Sequence, residues 1–353
     1  MKVAILGDTH FGVRSDSAVF HKYFEDFYKN VFFPYLEEHS INTVFQLGDM
    51  FDKKKQINFY SLSRSREYFF NPAQRKGIEI VCNVGNHDAF FKHSLSINAP
   101  DLLTQEYDNV FIIDSPTERI VDGVKFLILP WICRDNEKET MDLIESTKAQ
   151  IALGHLELAG FSMYRGTISE HGMNHKIFDK FDMVLSGHYH TKSSYDNIHY
   201  VGTPYEITWS DWDDPRGFHV LDTDTRELTF VRNSYEMFKK IPYDDEGKTL
   251  EEVLDFPFDA YTDKFVKVIA LKKTSQNSLD MFVKALENAG ALDVKTTDNS
   301  LILELNTDVV EDVEDTLTII RNSVDEIETT VSKEKLVKLF ETLYVEAKQM
   351  EIA

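Results

Sequence analysis

"FDMVLSGHYH", at residues 181–190, joins a short apolar run to a glycine and then to two histidines that are separated by one residue. The apolar run predicts a buried strand, and the glycine lets the chain turn sharply where that strand ends. Taken alone, His188 and His190 are compatible with a polar turn as well as with a pair of metal ligands. The other strands of the chain must decide between these two possibilities.

A short apolar run followed by a glycine and a polar side chain occurs four more times in the first 157 residues, at "LGDTH", "LGDMFD", "VGNHD" and "LGHLE". In open α/β sheets, the carboxyl ends of the strands meet at one crevice, where ligands bind. We therefore expect the polar residues after these strands to converge. Together with the opening pair they are Asp8, His10, Asp49, Asn86, His87, Asp88, His155, His188 and His190.

The spacing between these runs predicts the fold class. Apolar residues at helical spacing separate the early strands, which indicates βαβ units, whereas the later strands follow one another without obvious helices and suggest a mixed sheet or a sandwich. We predict an α/β (α+β) protein whose first domain spans residues 1–240, with residues 243–264 as a connecting segment. Residues 241–328 would hold a small α+β domain, and residues 329–353 a separate amphipathic helix.

Bulk composition excludes several classes of protein. The chain has 353 residues and a formal net charge of −22, which argues against a generally basic nucleic-acid-binding surface. A phosphate-handling enzyme remains possible, because bound divalent cations reverse the local field. No run of about 18 apolar residues occurs, so we expect no membrane span. The two cysteines, Cys82 and Cys133, lie in apolar surroundings, which fits a reducing cytoplasm and no disulfide.

The strand-end residues have the chemistry of a metal centre. They include two aspartates, one asparagine and four histidines as possible donors, and no thiolate. Oxygen and imidazole donors suit Mn²⁺, Fe²⁺ or Zn²⁺, and one aspartate can bridge two cations. Two adjacent cations stabilise the attacking and leaving oxygens of a phosphoryl displacement. The sequence therefore predicts a dinuclear centre for hydrolysis of phosphate esters.

The motifs "GDTH", "GDMFD", "GNHD", "GHLE" and "GHYH", in this order, resemble the five motifs of the calcineurin-like metallophosphoesterases, over residues 1 to about 235. The resemblance implies the β-sandwich of that family, flanked by helices. It also implies that Asp8, His10, Asp49 and His190 hold a first metal, and that Asp49, Asn86, His155 and His188 hold a second. His87 would contact the scissile phosphate or protonate the leaving oxygen, with Asp88 as its orienting partner. A purely structural role for His87 is the alternative.

The segment "YVGTPYEITWSDWDDPRGFHVLD" (residues 200–222) is similar to one in the SbcD-type nucleases, the group that includes the MRE nucleases of double-strand-break repair. This resemblance implies exonuclease action on duplex ends and endonuclease action on single strands, with Mn²⁺ as the working ion and Mg²⁺ as another candidate. The small domain would touch double- or single-stranded DNA, and the C-terminal helix would dock on an SMC-like ABC ATPase. A homodimer within a two-plus-two complex, located in the cytoplasm (the host cytoplasm for a phage protein), is also implied.

Several points stay open at this stage. Some family members carry a histidine three residues after the bridging aspartate, with a role tied to exonuclease action, whereas this chain has Asp52 there. Basic residues after the second motif fit a polyanionic substrate or a solvated helix face: Lys53, Lys54, Lys55, Arg64, Arg66, Arg75 and Lys76. Trp131 is expected in the core, whereas Trp209 and Trp212 could line a groove.

Other functions fit parts of the same pattern. The same scaffold could serve a small-substrate phosphodiesterase or a protein phosphatase, and a chain that only binds the ATPase would need no complete ligand set. The C-terminal helix could pack on its own domain instead of on a partner.

Overall fold

The computed structural model describes residues 1–164, 167–169 and 171–298, together with residues 332, 333, 336 and 339. Its strands are β1 (Lys2–Leu6), β2 (Thr43–Gln46), β3 (Glu79–Asn83), β4 (Val110–Ile113), β5 (Thr117–Val121), β6 (Val124–Leu129), β7 (Ile151–His155), β8 (Ser162–Tyr164), β9 (Thr167–Ile168), β10 (Met183–Gly187), β11 (Ser193–Tyr195), β12 (Ile198–Tyr200), β13 (Gly217–Asp222), β14 (Leu228–Arg232), β15 (Phe238–Asp244), β16 (Phe265–Lys272) and β17 (Asp293–Asp298).

The helical segments are α1 (Val13–Asp16), α2 (Ala18–Phe27), α3 (Phe33–Glu38), α4 (Phe59–Ser65), α5 (Asn71–Arg75), α6 (Ala99–Thr104), α7 (Glu137–Ser146), α8 (Leu250–Leu254) and α9 (Gln276–Asn288). π-Helical turns at Tyr28–Phe32 and Arg66–Phe70 make α2–α3 and α4–α5 continuous. Short 3₁₀ turns lie at His175–Phe178, Trp209–Asp211 and Phe258–Tyr261. No helix among the described residues is long and apolar enough to cross a membrane.

Two six-stranded sheets pack face to face. Their strand orders are β14-β13-β1-β2-β3-β4 and β11-β12-β10-β7-β6-β5. Four neighbouring strands are parallel in each sheet, β1 to β4 in the first and β12, β10, β7 and β6 in the second. Alternate residues such as Ile5, Phe45, Ile128 and Leu185 are buried between the sheets. The α/β sandwich predicted from the sequence is thereby confirmed.

Helices cover the outer faces of the sandwich. The aromatic-rich segments α2–α3 and α4–α5 pack on the first sheet, where Phe24, Phe27, Phe69 and Phe70 are buried. On the second sheet, Ile144 of α7 packs with the opposite set of strand side chains. Because both faces of each parallel region are covered, the strands read as continuous apolar runs, which is why the sequence revealed them.

The small domain begins earlier than expected. Phe238–Asp244 forms β15, the first strand of a parallel three-stranded sheet in the order β15-β16-β17. The boundary predicted between residues 240 and 241 therefore falls inside a strand. The expected connecting segment is part of the domain, since it holds α8 and the turn at Phe258–Tyr261. The end of this domain and the helix predicted at 329–353 lie outside the described residues, apart from the four single positions named above.

Candidate metal centre

The predicted donors follow parallel strands of both sheets. Asp8 and His10 come after β1, Asp49 after β2, and His155 is the last residue of β7. These four side chains are almost fully buried, with 0–2% of their surface exposed. His188 follows β10. The sandwich therefore brings the strand ends of the two sheets to one edge, as the sequence pattern predicts.

One group of donors consists of Asp8, His10 and His190, whose ligand-type atoms all lie within 4.8 Å of one another. Nε2 of His10 is 3.1 Å from Nε2 of His190, and the latter atom is 3.9 Å from Oδ2 of Asp8. Two imidazole nitrogens at this separation, beside a carboxylate, have the arrangement of ligands directed at a common ion.

A second group consists of Asp49, His155 and His188, also within 4.8 Å. Oδ1 of Asn86 lies 3.0 Å from Nε2 of His155 and 3.0 Å from Nδ1 of His188. Oδ2 of Asp49 is 3.3 Å from His155 and 4.0 Å from His10, so this carboxylate of the second group also approaches the first group. The position matches the bridging role that the family resemblance implies for Asp49.

Glycines make room for these donors. Gly48 has φ 101°, and a Cβ there would clash with the His155 ring. A Cβ on Gly85 would clash with the carboxylate of Asp49. The glycines that precede the motifs are therefore required by close packing as well as by the turn itself.

The electrostatics of the site favour positive charge on two of its histidines, His10 and His155. Burial alone would lower the pKa of His10, but Asp52 and Asp49 raise it to about 9. Burial opposes the charge of His155 as well, yet Asp49 raises its pKa to about 9. Burial raises the pKa of Asp8 to about 6. The buried carboxylates of Asp8 and Asp49 thus stabilise protons on the adjacent imidazoles. Such a pair fits a cation site, in which metal ions replace those protons.

His87 is held by a different residue from the one predicted. Its Nδ1 lies 2.8 Å from the main-chain oxygen of Asp52. The Asp88 carboxylate instead accepts hydrogen bonds from three main-chain N–H groups, those of Met50, Phe51 and Gly85. The prediction that Asp88 orients the ring is therefore wrong for this structure. Asp88 fixes the loops on either side of the site, and Asp52 provides the acceptor for His87.

The segment at residues 200–222 supports the His190 loop, a role that its sequence did not reveal. Arg216 is buried, and its guanidinium donates to the main-chain oxygen of His190 and, at 2.8 Å, to Oγ1 of Thr203. It also pairs with Asp211 and Asp214, both at 2.9 Å. The signal that could have identified Arg216 is a lone cation within "DWDDPRG", where a buried arginine requires neighbouring carboxylates.

Trp131 is partly buried against the apolar cluster of Val84, Ala89, Leu95 and Cys133, as expected, and Trp212 lines a cleft. The Trp131 ring is also 5.1 Å from that of His188 and 6.0 Å from that of His155, so Trp131 contacts both that cluster and the donors. Trp209 and Trp212 lie at the junction with the small domain, where Lys267 and Lys240 contact their rings. Tyr189, by contrast, is buried in the outer layer of the second sheet and points away from the site.

Most of the basic residues proposed to attract a polyanion are paired within the chain. Arg64 pairs with Glu25 and Glu67, and Arg66 pairs with Glu106. Two further ion pairs join Lys53 to Asp16 and Lys76 to Glu37. The basic helix face is therefore largely a set of internal ion pairs, which the sequence did not show because the acidic partners are distant in the chain.

The family model described as calcineurin-like phosphoesterase matches residues 1–192 of this chain. The chain belongs to that family. The calcineurin-like fold accounts for the sandwich, and the matched region contains all of the donors. The protein is thus a metallophosphoesterase that hydrolyses phosphoesters.

Two proteins with nuclease names are similar to this chain in sequence. "Exonuclease subunit 1" of Enterobacteria phage T4 is 32% identical over 352 residues, which cover 99% of this chain and 100% of the relative. The SbcD component of the SbcCD nuclease of Staphylococcus epidermidis is 28% identical over 151 residues, or 34% of this chain and 39% of that protein. A solved structure of an archaeal phosphodiesterase is 14% identical and covers 66% of this chain and 100% of its own, with a TM-score of 0.34, too low to add to the fold assignment.

Proposed function

We propose that this metallophosphoesterase is the nuclease subunit of a DNA-processing complex and cleaves phosphodiester bonds with two divalent cations. The observation that carries the proposal is the pair of neighbouring donor groups, one of which contains Asp49, whose carboxylate also accepts the N–H of His87. DNA as the substrate is supported by the full-length similarity to an exonuclease subunit and the partial similarity to a second nuclease. The phage origin of the first relative makes the host cytoplasm the proposed location.

Each cation would be held by the residues that the family resemblance implies. The first would be held by Asp8, His10, Asp49 and His190, and the second by Asp49, Asn86, His155 and His188. Bound there, two cations would neutralise charge on the phosphoryl oxygens and acidify a bound water. Mn²⁺ suits this oxygen and imidazole set, and Mg²⁺, Fe²⁺ or Zn²⁺ are the alternatives.

His87 would handle the proton of the leaving group. A carbonyl oxygen can only accept, so the contact with Asp52 places the proton on Nδ1 of His87 and leaves Nε2 for the substrate. Burial lowers the pKa of His87, which favours the neutral ring in the free protein. A phosphodiester anion beside the ring would raise that pKa, and the resulting imidazolium could protonate the leaving oxygen.

The small domain would contact the DNA backbone through a row of lysines. In the register of its sheet, Lys240 lies beside Lys267, and Lys267 lies beside Lys295. Neighbouring strands are about 4.8 Å apart, and like charges directly opposite one another destabilise a sheet. Burial and the charges of the two neighbours lower the pKa of Lys267. A phosphate backbone bound along the row would relieve this repulsion. The three lysines are a local cluster of positive charge on a chain whose net charge is −22.

An apolar surface beside the active site would bind a second copy of the chain. Phe59 is 89% exposed, Leu102 59% and Ile97 45%, and Phe90 lies in the same surface. Contiguous exposed apolar side chains of this kind mark interaction sites. Phe59→Glu would then convert a dimer to a monomer in light scattering, and a monomeric wild-type protein would exclude the homodimer.

The C-terminal segment would dock on an SMC-like ABC ATPase. Leu339 is 53% exposed, and the Leu336 N–H donates to the main-chain oxygen of Ser332 at 3.1 Å, as in a helix. Deletion of residues 330–353 should abolish co-purification with the ATPase and preserve small-ester hydrolysis. Unchanged association would contradict the docking role.

The nuclease assignment can be tested by assaying linear duplex DNA, single-stranded DNA and bis-p-nitrophenyl phosphate with Mn²⁺, in the presence and absence of the ATPase. Asp49→Asn removes the bridging carboxylate and provides the inactive control. We expect hydrolysis of all three substrates by the wild-type protein. Hydrolysis of the small ester alone would indicate a phosphodiesterase or a protein phosphatase on the same scaffold.

A further inference from the structure

Asp52 contacts the rings of two histidines at the candidate centre. Oδ1 of its side chain is 3.5 Å from Nδ1 of His10. Its main-chain oxygen is 2.8 Å from Nδ1 of His87. The Asp52 N–H donates to the main-chain oxygen of Phe11 at 3.1 Å, which ties the residue to the loop that carries His10. One residue therefore meets both imidazoles, and it meets each of them at Nδ1.

His10 needs such a partner. Its Nδ1 is buried and has no hydrogen bond of ordinary geometry among the described residues. An unsatisfied buried N–H costs about 1–3 kcal/mol. The Asp52 carboxylate is within ion-pair range, and its side chain is 25% exposed, so a small rotation can shorten the 3.5 Å contact to a hydrogen bond.

We propose that Asp52 is a positioning residue that serves two histidines through different atoms. Its carboxylate accepts the Nδ1 proton of His10 and thereby presents the Nε2 lone pair of that ring to the first cation. Histidines that bind metals almost always donate their other N–H in this way. Its main-chain oxygen fixes the His87 ring. The inference rests on the proposed two-cation function.

The two contacts can be separated by mutation. A substitution of the side chain removes the carboxylate from His10 but keeps the main-chain oxygen for His87. Asp52→Asn retains a weaker acceptor, and Asp52→Ser retains a shorter side chain with no carboxylate. Asp16→Asn is the matched control, because it removes one negative charge from a nearby residue that bonds Ser61 and Lys53 and no imidazole.

Isothermal calorimetry with Mn²⁺ measures the effect directly. For Asp52→Ser we expect one of the two sites to bind Mn²⁺ about 10–100-fold more weakly, the range found for partners of metal-bound histidines. Asp52→Asn should show a smaller loss, and the second site should be unchanged in both variants. Hydrolysis of bis-p-nitrophenyl phosphate should recover as Mn²⁺ is raised, because the substitutions weaken the binding of one cation and leave its other ligands in place.

Two results would overturn the inference. Wild-type Mn²⁺ affinity at both sites in Asp52→Ser and Asp52→Asn would show that the carboxylate does not act through His10. A loss of activity that excess Mn²⁺ does not restore, in variants that melt at the wild-type temperature without metal, would show the same. If the wild-type protein itself bound no Mn²⁺, the two-cation function would fail as well, so the two failures are distinguishable.

Discussion

Nε2 of His10 and Nε2 of His190 face each other at 3.1 Å, although the two residues are 180 positions apart in the chain. Only one of the two atoms can donate to the other, so two protonated nitrogens would repel each other there. Burial and the neighbouring His10 lower the pKa of His190, which keeps its ring neutral and able to bind a cation. Both Nε2 atoms can be unprotonated and face each other at this distance only if their lone pairs bind the same positive ion.

Removal of one of these rings should therefore remove one cation. We expect His190→Ala to bind one Mn²⁺ in place of two, measured by elemental analysis after gel filtration. Its small-ester hydrolysis should fall at least about 100-fold, the scale for loss of one charge-stabilising group in an active site. His199→Ala, in which a histidine outside the donor groups is lost, should keep both ions; equal losses in the two variants would contradict the assignment.

His87→Ala should separate proton transfer from metal binding. Cleavage of DNA should fall by about 10²–10⁴-fold, the usual contribution of a general acid. Hydrolysis of bis-p-nitrophenyl phosphate should fall much less, because nitrophenolate leaves without a proton. The Mn²⁺ stoichiometry should not change. His93→Ala is the control on a neighbouring loop, and an equal loss on both esters in His87→Ala would exclude the acid role.

Gly48→Ala tests the close approach to His155. A non-glycine residue at positive φ costs about 1–2 kcal/mol by itself. Gly160 has φ 95°, close to the 101° of Gly48, but a Cβ there meets nothing within 4 Å. Gly160→Ala should therefore lose thermal stability only, whereas Gly48→Ala should also lose the second Mn²⁺. Wild-type Mn²⁺ binding in Gly48→Ala would show that the His155 ring can move without cost.

The stability of the domain junction should depend on pH through Glu206. Burial raises the pKa of this carboxyl to about 7, and it accepts the N–H groups of Met237 and Phe238 where the small domain begins. A raised folded pKa gives stability that is complete below the unfolded value and is lost as the pH rises through 7. The loss is about 3 kcal/mol between pH 4.5 and 8.5.

Glu206→Gln should remove that part of the pH dependence in urea unfolding between pH 5.5 and 8.5. The control is Glu236→Gln, because Lys239 lowers the pKa of Glu236 and its contribution disappears only in acid. An identical pH slope in wild type and Glu206→Gln would disprove the buried-carboxyl explanation.

Sequence patterns revealed the strands and the donors because both depend on local order in the chain. Buried parallel strands read as apolar runs, and a glycine must follow where backbone and ligands crowd together, as at Gly48. Sequence patterns did not predict the directions in which the side chains of the loop residues point. Asp88 and Asp52 are both aspartates within three residues of a donor, yet only the packed loops show that Asp88 binds main-chain N–H groups and that Asp52 faces His10.

The sequence also did not reveal which charged residues, distant in the chain, pair with one another. Arg64 and Glu25 are 39 residues apart, and Arg216 reaches His190 across 26 residues. Their effects on the site depend on distances that no spacing rule encodes. The domain boundary was displaced for a related reason, since β15 is defined by its pairing with β16 and by no break in composition.

The origin of the donors from both sheets has a consequence for folding. Asp8 and Asp49 follow strands of the first sheet, whereas His155 and His188 belong to the second. Contacts between such distant parts of a chain form late, because loop closure must precede them. Cations that bind only the assembled sandwich stabilise it by mass action. It follows that a chain emerging from the ribosome can hydrolyse phosphoesters only after its two sheets have docked.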